Sequence, residues 1–223
     1  MPSADCRSAI TEATPQAPPS RYRNPFATCW TRPGAMPYVF ANGESVAGLI
    51  ARLAENGWQG EVVGPHGSGK STLLATLLPR LVASGRTVFS ITLRQGERRL
   101  PRGWLRTALS SSRPLLVVDG YEQLACPHRA WLRWQCRRAS AGLLITSHAP
   151  MGLPQLLELR PTRALVDQVA AHLTARVASP ISPADITAGF ACHGSNVREL
   201  LFELYRRHEV CTAAARTAAE APA

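Results

Sequence analysis

The sequence predicts an α/β fold with three layers, in which helices cover both faces of a mainly parallel sheet of five strands and a small helical lid follows. Three observations support this prediction. Apolar strands alternate with helical segments between residues 61 and 159, a glycine-rich loop follows the first strand, and only helical spacing follows Pro161. We therefore expect a leader at 1–23, a core at 24–160, a lid at 161–209 and a flexible tail at 210–223.

The composition indicates the general class of protein. The 223 residues allow one sizeable core and a small appendage. No apolar run approaches the roughly 20 residues that span a bilayer, and the first residues lack the apolar segment of a secretory signal. We expect a cytoplasmic protein without membrane insertion, and the six scattered cysteines, with no C-x-x-C pair, fit reduced thiols.

The net charge of +10 makes DNA a possible partner. Lys70 is the single lysine among the 25 lysine and arginine residues. This preference for arginine fits the codon bias of a GC-rich genome. The charge is therefore suggestive of a polyanionic partner and does not establish one.

The N-terminal part of the chain divides into three pieces. Residues 1–23 contain few large apolar side chains, so we expect a disordered leader. The next stretch is rich in turns but carries Phe26, Trp30 and Tyr38, and we expect it to pack against the core. From Asn42, a plausible N-cap, a helix is predicted to about Asn56.

The glycine-rich loop matches the phosphate-binding pattern G-x-x-x-x-G-K-[ST], and it lies between an apolar strand and a helix, as that pattern requires. Glycines let successive N–H groups point inward at the positive end of the helix. Lysine would reach the β- and γ-phosphates, and serine would complete a Mg²⁺ shell. The predicted nucleotide-binding residues of this P-loop are Gly64, Pro65, His66, Gly67, Ser68, Gly69, Lys70, Ser71 and Thr72.

Several elements follow the P-loop. A helix is predicted from Lys70 to about Ala83, with Pro79 as a kink or an early end. A strand is expected at Thr87–Leu93, then a basic loop from Arg94 to Arg102 and a short helix at Trp104–Leu109.

A second apolar strand ends in a carboxylate at Asp119. It has the form of a Walker B element, in which Asp119 holds Mg²⁺ opposite Ser71, so these two residues are the candidate metal ligands. A strand-terminal aspartate can also merely cap a loop.

The helix predicted at Pro127–Arg138 carries arginines at four-residue spacing, Arg129, Arg133 and Arg137. One interpretation is a solvated basic face, with Trp131 and Trp134 packed on the sheet. The other is an arginine face that binds an acidic partner or nucleic-acid phosphates.

Another buried strand is predicted at Gly142–His148, and it ends in polar residues. Because ligands bind at the carboxyl ends of parallel strands, Thr146, Ser147 or His148 should face the γ-phosphate, and Ser147 is taken as the nucleotide ligand. A short last strand is expected at Leu156–Leu159.

Beyond Pro161 we expect three helices, at Thr162–Ala178, from Ser182 to about Phe190, and from Ser195 to about His208. The third has an apolar face that includes Val197, Leu200 and Leu204. The alanine-rich segment from Cys211 is expected to fray.

Residues 24–208 resemble the AAA+ and STAND-like branch of P-loop ATPases. The P-loop, the Walker B run Leu115–Asp119, a sensor 1 stretch Thr146–Pro154 and a sensor 2 motif of the form G-x-N-x-R, Gly194–Arg198, carry the resemblance. It implies the sheet order 5-1-4-3-2, with the sensor strand between the P-loop and Walker B strands. It also implies that Arg198 lies over the γ-phosphate.

The resemblance is incomplete at two points. Many AAA+ proteins have Asp-Glu at the Walker B element, whereas Asp119 is followed by Gly120-Tyr121-Glu122, a form similar to the STAND branch. Glu122 is therefore the candidate for orienting the attacking water, or else a solvated loop carboxylate. Arg198 could instead pair with nearby glutamates, and no arginine finger is assigned to Arg160 or Arg163.

These observations predict a small ATPase that binds ATP with Mg²⁺ and uses hydrolysis to drive or time a conformational change. Lys70, Asp119, Glu122 and Arg198 are its candidate catalytic residues. One alternative is a nucleotide-gated binding module with negligible hydrolysis, and another is a DNA-associated helper ATPase of the transposition or replication type. A protein client or a second copy of the chain is a possible partner.

Overall fold

A computed structural model describes residues 24–40, 43–175, 177 and 179–220. The predicted leader and the predicted N-cap Asn42 lie outside the described residues. The strands are β1 (Gln59–Val63), β2 (Thr87–Thr92), β3 (Pro114–Asp119), β4 (Gly142–Ser147) and β5 (Gln155–Glu158). The helices are α1 (Thr28–Thr31), α2 (Val46–Glu55), α3 (Lys70–Ala83), α4 (Trp104–Leu109), α5 (Cys126–Arg138), α6 (Arg163–Thr174), α7 (Pro183–His193) and α8 (Val197–Glu220).

The five strands form one parallel sheet in the order β2-β3-β4-β1-β5. The predicted order 5-1-4-3-2 is therefore confirmed, and the sheet is parallel throughout. In this register Val118 pairs with Ile145, and Val63 pairs with Ser147. The carboxyl ends of β1, β3 and β4 thus meet at one edge, which brings the P-loop next to the end of the Walker B strand.

The neighbouring strands β3 and β4 are buried on both faces of the sheet, and their side chains alternate between two separate cores. On one face Leu115, Val117 and Leu144 pack against leucines of α2 and α3. On the other face Leu116, Val118 and Ile145 pack against α4 and α5. Because both faces are covered, the strands are continuous apolar runs, and this is why they were recognisable in the sequence.

One helix of the core differs from its predicted bounds and another has them. Helix α2 begins at Val46, later than predicted, because the Ser45 hydroxyl accepts a hydrogen bond from the Gly48 N–H and caps the helix. Helix α3 continues through Pro79 to Ala83, so an early end at the proline is wrong. The buried Leu77 and Leu81 hold this last part of α3 against the core.

The last three helices, α6, α7 and α8, also end at residues other than the predicted ones. Helix α6 ends at Thr174, before the predicted Ala178, whereas α7 continues to His193. Helix α8 runs to Glu220, beyond its predicted end near His208. Alanine has the most favourable helix propensity, and an alanine-rich segment can extend an existing helix without an apolar stripe. None of the described helices is long and apolar enough to cross a membrane.

Helix α5 is rotated relative to the predicted packing. Leu132 and Cys136 are buried, whereas the exposed fractions of Trp131 and Trp134 are 45% and 53%. Arg129 and Arg133 point towards the segment after β4, where they contact the Met151 sulfur and carbonyl oxygen respectively.

The prediction of tryptophans packed on the sheet beneath a solvated arginine face is therefore wrong. The four-residue spacing did place Arg129 and Arg133 on one side of α5, which Leu132 and Cys136 turn towards the protein, whereas Arg137 is exposed at the edge of that side.

Candidate nucleotide-binding site

The P-loop connects β1 to α3 and owes its shape to glycines. Gly67 and Gly69 have φ values of +71° and +97°, which side chains rarely adopt. A Cβ on Gly64 would lie 2.8 Å from both Leu159 Cβ and Ser68 Oγ. The N-cap of α3 is Gly69, which has no side chain that could cap the first N–H groups. The loop therefore presents main-chain amides at a positive helix terminus, an arrangement that suits phosphate.

Lys70 is the first residue of α3, and its ammonium lies inside the P-loop. Nζ donates hydrogen bonds to the carbonyl oxygens of Gly64, at 2.5 Å, and Pro65, at 2.8 Å. Burial lowers the pKa of Lys70, and the negative charges of Glu122 and Asp119 oppose that shift. The cation thus lies beside the main-chain amides, held by carbonyl oxygens that a phosphate could replace.

Ser71 and Asp119, the two candidate metal ligands, are in direct contact. Ser71 Oγ donates to Asp119 Oδ2 at 2.7 Å, and Thr146 Oγ1 donates to Oδ1 at 2.5 Å. The Gly120 N–H in turn donates to Thr146 Oγ1 at 3.0 Å, which orients that hydroxyl. A carboxylate and a hydroxyl beside a phosphate-binding loop are the oxygen ligands that Mg²⁺ prefers.

Glu122 follows β3 and lies against His148 at the end of β4. His148 Nε2 is 2.9 Å from Glu122 Oε1, and His148 Nδ1 is 3.2 Å from Lys70 Nζ. Because an ammonium can only donate, Nδ1 accepts and Nε2 carries the proton that is donated to Glu122. The second carboxylate oxygen of Glu122 is buried with no hydrogen-bond partner among the described residues. Glu122 is therefore not a solvated loop residue, and one of its oxygens is available to a ligand.

His66 of the P-loop stacks on His148, with the ring centroids 3.5 Å apart. Burial lowers the pKa of His66, and the neighbouring His148 and Lys70 lower it further. Both imidazoles therefore lie over the same part of the site, next to Lys70.

The three polar residues at the end of β4 have different surroundings. Thr146 contacts Asp119, and His148 lines the cavity described below. Ser147, which was expected to face the nucleotide, is buried, and its Oγ donates to the Ala149 carbonyl at 2.7 Å. Its carbonyl oxygen accepts from the Gly64 N–H at 3.1 Å, so Ser147 supports the P-loop from beneath. Of the two, His148 and not Ser147 is among the described residues that line the cavity.

The first turn of α8 lies directly on the P-loop. The Arg198 N–H donates to the Gly67 carbonyl at 3.3 Å, and Asn196 Oδ1 accepts from the Glu199 N–H at 3.3 Å. Glu203, an alternative partner of Arg198, instead pairs with Arg206 and Arg207, and Arg198 lines the cavity. The sensor 2 motif thus joins the lid to the phosphate cradle through one backbone hydrogen bond.

The two other arginines that sequence analysis considered are paired within the chain. Arg160 contacts Glu158 at 2.7 Å, and Arg163 contacts Asp167 at 2.8 Å. Neither is among the described residues that line the cavity.

A cavity of about 900 Å³ extends from the P-loop between the N-terminal segment and the lid. One end is polar and is formed by the groups described above. The rest of the lining is largely apolar and includes Pro33, Met36, Tyr38, Val39, Leu165, Val169, Leu201 and Phe202. A cavity with this division suits a ligand that has an anionic end and a planar or apolar end.

The N-terminal wall of this cavity is attached to both the core and the lid. The Tyr38 N–H donates to Thr76 Oγ1 of α3 at 2.9 Å, and Asn24 Nδ2 donates to the Tyr205 carbonyl of α8 at 3.1 Å. Phe26 is buried in the apolar core of the lid, together with Val166 and Leu204. The segment thus spans the cavity and connects the two parts that form it.

Comparisons with known proteins support the fold. No protein-family model matches the sequence, and no curated protein matches it. The structure is similar to that of the replication initiator DnaA bound to AMPPCP and single-stranded DNA, with a TM-score of 0.54 and 15% identity over 75% of this chain and 61% of that chain. It is also similar to the S. cerevisiae Hsp104-ADP complex, with a TM-score of 0.54 and 14% identity over 84% of this chain and 32% of that chain.

The chain therefore spans less than two thirds of the length of either of these proteins. At such identities the similarity shows the fold alone, a parallel sheet of five strands with helices on both faces and further helices after it.

Proposed function

We propose that this chain binds ATP together with Mg²⁺ and hydrolyses it, and that the nucleotide changes the position of the helical lid relative to the core. The contact between Ser71 and Asp119 carries the proposal, because it joins two candidate metal ligands at 2.7 Å. A solvent-facing capping aspartate would not be expected to lie against the first turn of the helix that follows a phosphate-binding loop.

Phosphate binding is assigned to the P-loop amides and Lys70. The ammonium would exchange its bonds to the Gly64 and Pro65 carbonyls for bonds to phosphate oxygens, which are charged and hence stronger acceptors. Ser71 and Asp119 would hold Mg²⁺, which supplies positive charge that neutralises the phosphate oxygens. Thr146 would keep the Asp119 carboxylate in place through its hydrogen bond to Oδ1.

The hydrolytic step requires a group that orients water, and Glu122 is our candidate. One of its oxygens is held by His148, and the other is buried without a partner among the described residues, so it is free to accept a hydrogen bond from water. Arg198 would contact the γ-phosphate from the lid. Because its N–H is already bonded to Gly67, the distance its side chain must cover is short.

The lid is coupled to the nucleotide through two connections. Helix α8 contacts the P-loop at Gly67, and the N-terminal segment joins α8 to α3 across the apolar part of the cavity. A nucleotide that fills the cavity would touch the core, the lid and this segment together. Its γ-phosphate would therefore bias the lid position, which is the change we assign to the ATPase cycle.

A nucleotide-gated module with negligible hydrolysis is the second candidate, because Glu122 lies three positions after Asp119 rather than next to it. Phosphate release and nucleotide binding by the purified chain, with and without Mg²⁺, distinguish the two. Lys70→Ala should weaken ATP binding by about 10- to 100-fold, the loss expected for hydrogen bonds to a charged group.

Glu122→Gln should retain ATP binding and lose turnover by about 100-fold or more, the usual contribution of a general base. Glu55→Gln, at an exposed position of α2, is the matched control and should turn over as the natural chain does. Tight binding with turnover at background in the natural chain would select the gated module. Unchanged turnover in Glu122→Gln would remove Glu122 from the mechanism.

A further inference from the structure

We propose that the outer face of α5 binds single-stranded nucleic acid, with Trp131 and Trp134 stacking on bases and Arg137 and Arg138 binding phosphates. This α5 surface consists of the exposed residues Pro127, Ala130, Trp131, Trp134, Arg137 and Arg138. It lies outside the candidate nucleotide site, and the proposal does not depend on ATP binding or turnover.

The two tryptophans are the first observation. They lie three residues apart on the side of α5 opposite Leu132 and Cys136, and about half of each side chain is exposed. Two large indoles exposed side by side on one helix form an apolar patch of the kind that marks an interaction site. Among the described residues, the buried side of α5 packs with Tyr121 and Leu124, and neither tryptophan belongs to that core.

The charge of the surrounding chain is the second observation. Residues 94–140 contain ten arginines and three acidic residues, so this stretch carries +7 of the net charge of +10. Two of the acids, Asp119 and Glu122, belong to the candidate nucleotide site, and the third, Glu97, accepts a hydrogen bond from the Arg94 N–H at 2.7 Å. The α5 surface itself contains no acidic residue.

The basic groups lie at both ends of the tryptophan pair. The Ala125 N–H donates to the Arg98 carbonyl at 3.2 Å, which holds the arginine-rich loop against the start of α5. At the other end are Arg137 and Arg138, and the Arg138 guanidinium lies 5.5 Å from the centre of the Trp134 ring. Helix α5 has 13 residues and is therefore about 20 Å long. The arginine-rich loop thus lies next to the start of α5, and Arg137 and Arg138 lie at its end, with Trp131 and Trp134 between them.

Single-stranded nucleic acid has the complementary chemistry. Its phosphates form a line of negative charge, and every unpaired base offers a planar face to an indole. An acidic peptide would satisfy the arginines but would leave the tryptophans without a stacking partner, and a duplex would keep its bases stacked on each other. Single-stranded DNA and RNA both carry these phosphates and unpaired bases, so each of them is tested separately.

The test uses the full chain without nucleotide, so that failure of ATP binding does not affect it. Fluorescent oligothymidylate and oligouridylate of about 20 nucleotides, several times the smallest single-strand site sizes, are titrated at low salt. Fluorescence anisotropy reports binding and tryptophan fluorescence reports stacking. Binding of either oligonucleotide together with quenching of tryptophan fluorescence supports the proposal. The oligonucleotide that binds more tightly shows whether deoxyribose or ribose is preferred.

Variants separate stacking from charge. Trp131→Ala with Trp134→Ala should weaken binding by about tenfold or more, whereas Trp131→Phe with Trp134→Phe should keep much of the affinity and lose the quenching. Arg137→Gln with Arg138→Gln should reduce the slope of log affinity against log salt by about 1.4, the value for two phosphate contacts to a single strand. Arg80→Gln with Arg206→Gln removes the same charge from exposed positions of α3 and α8 and should leave the slope unchanged.

Four results would overturn the proposal. The first is no binding of either oligonucleotide at about 50 mM salt, where phosphate contacts are strong. The second is equal binding by the Trp131→Ala, Trp134→Ala variant, and the third is equal affinity for a duplex of the same sequence. The fourth is binding of oligoglutamate of equal charge that is as tight and is lost in the same variants, which would identify an acidic protein segment as the partner. Circular dichroism of each variant confirms that it is folded.

Discussion

The Ser71 hydroxyl donates a hydrogen bond to the Asp119 carboxylate at 2.7 Å, across 48 positions of sequence. The contact joins the first turn of α3 to the last residue of β3. It exists because β4 lies between β1 and β3 and brings both strand ends to one edge of the sheet. The same edge carries Lys70, His148 and Glu122, so the polar groups of the site depend on this one arrangement of strands.

Asp119→Asn should separate metal binding from nucleotide binding. The amide keeps the size of the side chain and can still accept from Thr146, but it lacks the charge that a divalent ion needs. We expect Mg²⁺ to support turnover about 10- to 100-fold less well, with nucleotide binding in the absence of Mg²⁺ nearly unchanged. A magnesium titration of phosphate release measures this, and full Mg²⁺-dependent turnover in the variant would contradict the metal role.

His148→Ala should lower kcat more than it raises KM. His148 is the hydrogen-bond donor that holds Glu122, and it also accepts from Lys70, so its loss leaves the carboxylate free to rotate. We expect about a tenfold fall in kcat or more, because misplacing a general base removes part of its contribution. His172→Ala, at an exposed position of α6, is the control. If kcat is equal in both variants, His148 does not position Glu122.

Gly67→Ala should displace the lid from the P-loop. An added Cβ would lie 1.8 Å from Asn196 Oδ1, and the φ value of +71° adds strain of about 1–2 kcal/mol. Gly43→Ala is a matched control, since Gly43 has a φ value of +72° and nothing within 4 Å of an added Cβ. We expect both variants to lose stability in thermal unfolding, and only Gly67→Ala to lose ATP affinity. Equal ATP affinity would show that the lid contact is dispensable.

Arg198→Ala should reduce the preference for ATP over ADP. A guanidinium that contacts the γ-phosphate contributes only to the triphosphate complex, so we expect ATP affinity to fall about tenfold and ADP affinity to change little. Arg206→Ala removes an exposed arginine two turns further along α8 and should change neither affinity. Competition binding with both nucleotides measures the ratio, and a parallel loss for ATP and ADP would argue against a γ-phosphate contact.

His208 should make the lid sensitive to acid. The side chain is 3% exposed, and burial lowers its pKa below the ordinary value of 6.5, against the opposing charge of Glu209. The unfolded chain therefore takes up the proton first, so stability is complete above about pH 6.5 and falls as the pH decreases, by at most about 1.4 kcal/mol per pH unit for one proton.

His208→Gln should flatten this decrease in denaturant unfolding between pH 7.5 and pH 5. The flattening should be partial, because the pKa of His66 is also lowered and contributes with the same sign. His172→Gln, at an exposed position, serves as the control. A pH dependence that is the same in the natural chain and in His208→Gln would exclude His208 as the source.

Much of the fold was recognisable in the sequence. The glycines and Lys70 predicted the loop between β1 and α3, and the apolar run before Asp119 predicted the doubly buried strand β3, because both depend on local chemistry and on continuous apolar character. The order of the strands followed from the resemblance, and the structure has that order. The continuation of α8 beyond His208 was missed, because apolar spacing indicates where a helix packs and not where an alanine-rich helix stops.

The sequence by itself determined the position of the phosphate cradle and of the carboxylate opposite it, because each is encoded within a few consecutive residues. Only the tertiary structure decided that His148, rather than Ser147, reaches the cavity, and that α5 turns its tryptophans outward. Both depend on which side of an element meets the core. A single helix or strand does not encode that choice, since it is made by the side chains of all the elements that pack against it.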